Sequence, residues 1–97
     1  MRFDYEFTKP ALRQCQQLEP WLGEDTIDEL DALADAPPSN HLRSTAGFVR
    51  DFVRTHGSAT YYVFLTIVPD VAANTFRVTN VGLYVRRRTG DADDATA

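Results

Sequence analysis

The stretch Tyr61-Tyr62-Val63-Phe64-Leu65-Thr66-Ile67-Val68 sets β-branched and aromatic side chains at nearly every successive position. A strand made of it is apolar on both faces, and a two-faced apolar strand belongs in the interior of a sheet rather than at its rim. The chain has 97 residues, a length that supports one domain around one core. That strand is therefore the expected centre of the domain, and the other elements are read by how they cover it.

Two further segments have the period-two alternation of half-buried strands. Gly47 to Thr55 carries Phe48-Val49-Arg50-Asp51-Phe52-Val53-Arg54, and His56-Gly57-Ser58 after it is a turn signal. Thr75 to Val81 sets Phe76 and Val78 against Arg77 and Thr79, with Gly82 as a bend before Leu83-Tyr84-Val85. Pro69-Asp70 is read as opening a loop that lasts to Asn74. At the other end of the chain, Phe3, Tyr5 and Phe7 alternate with Arg2, Asp4 and Glu6, a fourth strand.

Between the first strand and the others the period lengthens to that of helices. Thr8 is a capping residue and Pro10 fits a first turn, so a helix is expected over Lys9 to Glu19, with Ala11, Leu12, Cys15 and Leu18 on its inner stripe. Pro20 and Gly23 read as breaking it, with Trp21 and Leu22 packed at the corner. A second helix is expected over Glu24 to Ala34, with Ile27, Leu30, Leu33 and Ala34 inward. Glu24, Asp25 and Asp28 then fall in its first turn, where they complement the helix dipole, and Pro37-Pro38-Ser39-Asn40 ends it. The order is strand, two-helix hairpin, then three or four strands: an α+β fold with helices on one face of an antiparallel sheet. Residues 1–90 form the single domain, and 91–97 an acidic, disordered tail.

The single cysteine, Cys15, excludes an internal disulfide and a cysteine-rich metal site and points to a reducing compartment. No apolar run approaches the roughly 20 residues that span a bilayer, and Met1 to Thr8 lacks a leader pattern. A cytoplasmic chain without membrane contact, metal or cofactor is expected. Its net charge of -4 is unevenly spread. Residues 1–40 hold nine acids against three bases, while residues 41–90 hold seven arginines against Asp51 and Asp70. Cationic charge thus belongs to the strands and anionic charge to the helices, and arginine suits bidentate recognition of phosphate or carboxylate.

The stretches Phe3-Asp4-Tyr5-Glu6-Phe7-Thr8-Lys9-Pro10-Ala11-Leu12-Arg13, Asp51-Phe52-Val53-Arg54-Thr55, Tyr61-Tyr62-Val63-Phe64 and Phe76-Arg77-Val78-Thr79-Asn80-Val81-Gly82 resemble, in their order, the opening strand, paired central strands and last strand of the RelE/ParE family of bacterial toxins. The resemblance covers roughly residues 2 to 86. It implies a toxin-like component of a toxin–antitoxin pair, partnered by an antitoxin protein. RelE-like members cut messenger RNA on the ribosome, using the 2′-hydroxyl as nucleophile, a group to take its proton, a cation at the scissile phosphate and an acid for the leaving oxygen. Carried onto this chain, Arg54, Arg77 and Tyr84 are the candidate catalytic residues, with His56 as an alternative proton carrier, and Arg50, Arg86 and Arg87 are the candidate contacts to nucleic acid or partner. Leu83 stands where a cation is expected after the glycine. ParE-like members act by binding a topoisomerase instead.

Two readings stay open, the first implied by the resemblance and the second read from the residues. In one, the arginines converge on one concave site with Tyr84, and the chain is an endoribonuclease. In the other, Arg50 and Arg54 share a strand face with Phe48 and Phe52, cover apolar surface and pair with the acids of the helices. Arg86 and Arg87 are then a solubilising end, and the domain works by binding protein. The second is preferred. The strand at Tyr61 to Val68 has more apolar surface than one layer of two short helices covers, so a second copy or an antitoxin segment is expected on the remaining face.

Overall fold

The computed structural model describes residues 3–35 and 47–87. The elements run β1 (Asp4–Phe7), α1 (Lys9–Gln16), α2 (Pro20–Asp35), β2 (Phe48–His56), β3 (Ala59–Asp70) and β4 (Thr75–Arg87). The strands make one sheet in the order β1-β4-β3-β2. β3 lies inside it, as its two-faced apolar composition requires. β2, β3 and β4 form the expected antiparallel meander. The first strand joins by pairing with β4 in parallel, Tyr5 level with Phe76 and Phe7 with Val78, so the sheet is mixed. A helical hairpin separates β1 from the meander, which leaves it no hairpin partner and sends it to the free edge of the last strand.

Both helices lie on one face. Thr8 is the N-cap of α1, its Oγ1 accepting from the Ala11 amide at 3.4 Å, with Pro10 in the first turn. The helix stops at Gln16, short of Glu19, and α2 starts at Pro20 rather than Glu24. Pro20 begins a helix here instead of ending one, because a first-turn residue has no intrahelical use for its amide. The Glu19 carbonyl accepts from the amides of Leu22 and Gly23, both at 2.9 Å, and Gly23 is carried within the second helix. The acids Glu24, Asp25 and Asp28 consequently lie past the first turn, where the dipole does little for them. The segment after Asp35, including Pro37 to His41, and the acidic run at 91–97 lie outside the described residues.

The core sits between this hairpin and the sheet. Leu22, Leu30, Leu33 and Ala34 of α2 and Ala11 of α1 pack over Val63, Leu65 and Ile67 of β3 and Phe76 and Val78 of β4. Thr26 is the buried polar residue among them, and its hydroxyl donates to the Leu22 carbonyl at 2.9 Å, which satisfies it within its own helix. Ile27 is only partly buried and Leu12 is exposed, both having been expected inward. The two helices present narrow stripes, Ala11 on α1 and Leu22–Thr26–Leu30–Leu33 on α2, and residues one step round each helix miss the sheet.

β3 continues through Pro69 and Asp70, and the turn to β4 spans residues 71–74 instead of starting at Pro69. Pro69 lies beyond the end of β2, where β3 has one neighbour, so its missing amide breaks no second ladder. At the start of β2, Gly47 has φ +89, and a Cβ there would stand 2.7 Å from the Ile67 carbonyl oxygen. Only glycine lets the chain enter the sheet so close to β3.

Candidate functional site

Strand parity divides the candidate residues between the two faces of the sheet. On β2, Arg50, Phe52 and Arg54 point to the helices, and Phe52 is buried. The Arg50 guanidinium donates to Glu29 Oε2 at 3.0 Å. Arg54 Nε donates to Asp25 Oδ2 at 3.0 Å and its Nη2 to Glu29 Oε1 at 3.3 Å, while the guanidinium lies 4.8 Å from the Phe52 ring centre. Glu29 thus receives both arginines, and the acids of α2 act as the counter-charge of β2. Charge-assisted bonds of this geometry, partly withdrawn from water, hold a guanidinium against its carboxylate and away from a substrate.

His56, last in β2, stacks on Trp21 with ring centres 4.5 Å apart and planes at 18°, and Trp21 meets Tyr61 edge-on at 5.1 Å. The corner expected at Trp21 and Leu22 lies instead at residues 17–19, because α2 already begins at Pro20; Trp21 and Leu22 belong to its first turn, and Trp21 engages His56 in packing. Cys15 is partly buried, and desolvation raises its thiol pKa above the ordinary value. It lines a shallow groove between the helices with Pro20, Gly23, Glu24 and Ile27.

Among the described residues, the opposite face of the sheet carries no helix. Arg77 lies there beside β1 and donates to Glu6 Oε1 at 3.0 Å, both side chains about half exposed. Farther along β4, past a register shift at Thr66 and Ile67, the open face is ordered in rows across three strands. Val49, Thr66 and Asn80 make one row; Asp51, Phe64 and Gly82 the next; Val53, Tyr62 and Tyr84 the third; Thr55, Thr60 and Arg86 the fourth. Tyr62 and Tyr84 touch with ring centres 5.7 Å apart. Val49, Val53, Phe64 and Tyr84 are exposed at 58%, 47%, 39% and 58%. Arg87 alternates to the other face and is exposed.

The candidate catalytic and contact residues are not brought together. Arg50 and Arg54 stand on the helix face, Arg77 and Tyr84 on the open face, and Arg77 and Tyr84 are separated along β4 by the register shift. What does converge is apolar: Val49, Val53, Tyr62, Phe64 and Tyr84, flanked by Asp51 and Arg86, neither of which has an ion pair among the described residues. The sequence signal for this patch is the second apolar face of β3. Val49 and Val53 carry no signal of their own, since a valine in a strand reads as core.

No family model matches the sequence, and no curated protein does. Solved structures do match. A double mutant of the E. coli toxin RelE in the free state aligns with a TM-score of 0.59 at 15% identity, over 98% of this chain and 93% of its own. The intact E. coli RelBE toxin–antitoxin complex aligns at 0.56 and 18%, over 82% and 94%. The RelBE2 toxin–antitoxin complex of Mycobacterium tuberculosis aligns at 0.57 and 16%, over 87% and 100%. The likeness is one of fold: two helices on a four-stranded mixed sheet, a RelE/ParE-like α+β domain. No helix among the described residues is long and apolar enough to cross a membrane.

Proposed function

We propose that this chain is the toxin-like member of a toxin–antitoxin pair and that it acts by binding protein, in the manner of ParE-like or inactive members. Its RelE-like fold supports the first part, because structures sharing that fold include toxins held in complex with antitoxins. The second part is carried by one observation: Arg50 and Arg54 are tied to Glu29 and Asp25 on the helix side, away from Tyr84 and Arg86. Cleavage by a 2′-hydroxyl needs a cation, a base and an acid around one phosphate. The open face instead offers an apolar centre, which fits a protein partner.

The test is to express the chain alone and together with the product of any small open reading frame found adjacent to its gene. A stable co-purifying complex with intact transcripts is the expected result. Absence of any complex with the adjacent product sinks the pairing. A second reading, a ribosome-dependent endoribonuclease, rests on Tyr84 and Arg86 lying two residues apart on the open side of β4. It replaces the first if transcripts are cut and the cutting disappears in Tyr84→Phe and Arg86→Ala.

A further inference from the structure

The open face is self-complementary in charge. Its apolar centre, Tyr62, Phe64 and Tyr84, has an unpaired acid at one corner and an unpaired base at the opposite one. Asp51 sits on the edge strand β2 in the row of Phe64, and Arg86 on β4 two rows away, past Tyr84. Both are exposed, and neither has an ion pair among the described residues. The line between them passes over Tyr62. A two-fold axis lying in the face, perpendicular to that line, exchanges the two corners: Asp51 of one copy meets Arg86 of the other, twice, around a shared aromatic centre. Isologous contacts of this kind are the usual way two identical surfaces close. Gly82, level with Phe64, leaves one flank of that ring open, so an incoming ring can seat against it.

We infer that the open face of the sheet, centred on Tyr62, Phe64 and Tyr84, is the surface on which a second copy of this chain docks, with Asp51 and Arg86 paired reciprocally across the two-fold axis. Matched opposite charges at the rim with an aromatic centre are the composition of specific interfaces. A face three strands wide lies at the lower end of their size range, roughly 1,000 Å² in total. The expected dimer is weak, dissociating on the order of 10–100 μM. The inference gives to a second copy the same face on which the protein-binding reading rests, and it needs no antitoxin.

Sedimentation of the full chain from about 5 μM to about 1 mM brackets that range. The mass should rise from 10.9 kDa toward twice that value. Phe64→Asp, on the face away from the core, should stay monomeric throughout, with circular dichroism confirming the fold. Asp51→Arg and Arg86→Asp, at exposed sites, should each weaken association at least roughly tenfold, the loss of two desolvated contacts. The double variant Asp51→Arg with Arg86→Asp should recover it. A wild-type monomer at the highest concentration overturns the proposal. So does a dimer indifferent to Phe64→Asp, or a dimer whose charge swaps do not rescue one another. A monomer whose open-face resonances move only when an antitoxin is added also overturns it and gives the face to that partner.

Discussion

Arg54 and Arg50, four residues apart on β2, close on the same carboxylate, Glu29 of α2, at 3.3 and 3.0 Å. The glutamate side chain keeps only 19% of its exposure. Removing it strands two guanidinium groups against a partly buried surface. Glu29→Ala is therefore expected to destabilise the fold by about 1–2 kcal/mol, between the values of exposed and buried pairs. Glu24→Ala, on the exposed side of the same helix, should stay within about 0.5 kcal/mol. Urea denaturation of both variants checks the contrast, and equal effects would remove the ion-pair account.

Trp21 is the single tryptophan, so its emission reports its stack on His56 at 4.5 Å. His56→Ala uncovers one ring face while leaving the edge contact with Tyr61. The emission should move to longer wavelength, and stability should fall by about 0.5–1.5 kcal/mol, the range of aromatic pairs. An unmoved spectrum would mean the two rings do not stack in solution.

The parts of this fold that sequence made legible are those where one residue type has one physical use. A strand apolar on both faces has no place but the sheet interior, and β3 is there. Thr8 followed by Pro10 marks a helix start, and α1 begins between them. Where a residue type has two uses, the reading divided. Proline ends helices and begins them, and Pro20 begins α2. Proline breaks central ladders yet fits where a strand has one neighbour, and Pro69 stays in β3. The direction of β1 was not legible, because alternation fixes which side chains face the core and not which strand lies alongside. The arginines of β2 were readable as helix-facing from their parity with Phe48 and Phe52. The exposure of Val49 and Val53 was not, since it depends on both helices packing on the other face of the sheet.

Among the described residues, the outer edge of β4 has no strand beyond Val78, where β1 ends. Gln14 of α1 takes over: its Oε1 accepts from the Val81 amide at 2.7 Å and its Nε2 donates to Asn80 Oδ1 at 3.1 Å. Unpaired edge amides are costly when partly buried and invite pairing with other chains. Gln14→Ala should cost about 1 kcal/mol and raise the exchange rate of the Val81 amide severalfold, with little change at Leu65 inside the sheet. Amide exchange by NMR reads both sites, and a Val81 amide that exchanges at its former rate would show the cap to be idle.

Burial raises the Cys15 pKa above the ordinary thiol value of 9.0. A raised pKa means less thiolate at any given pH, so alkylation by iodoacetamide near neutrality should be slower in the folded chain than in urea. The midpoint of its pH–rate profile should lie above that of the unfolded chain. The linkage has the matching sign. The folded state holds the proton more firmly, so this contribution to stability is present below the unfolded thiol pKa and is lost as pH rises through the folded value. Equal rates in the folded and unfolded chain would place Cys15 in water.

Gly47 and Gly57 both have positive φ, +89 and +63, yet only one is crowded. A Cβ at Gly57 meets nothing within 4 Å, whereas at Gly47 it stands 2.7 Å from the Ile67 carbonyl oxygen and 3.1 Å from Val68 Cγ2. Alanine at either site carries the left-handed penalty of about 1 kcal/mol. At Gly47 it adds a collision with backbone that β3 cannot relieve without lengthening its pairing to Phe48. Gly57→Ala is thus expected to lower stability by about 1 kcal/mol, and Gly47→Ala by about 2–4 kcal/mol, since overpacking against a fixed carbonyl costs a further 1–3 kcal/mol. Thermal unfolding of the pair separates the two terms, because they share the backbone strain and differ in the neighbour. If the two variants melted together, the close approach of the chain at Gly47 to β3 would not exist, and the entry of β2 into the sheet would have to be drawn differently.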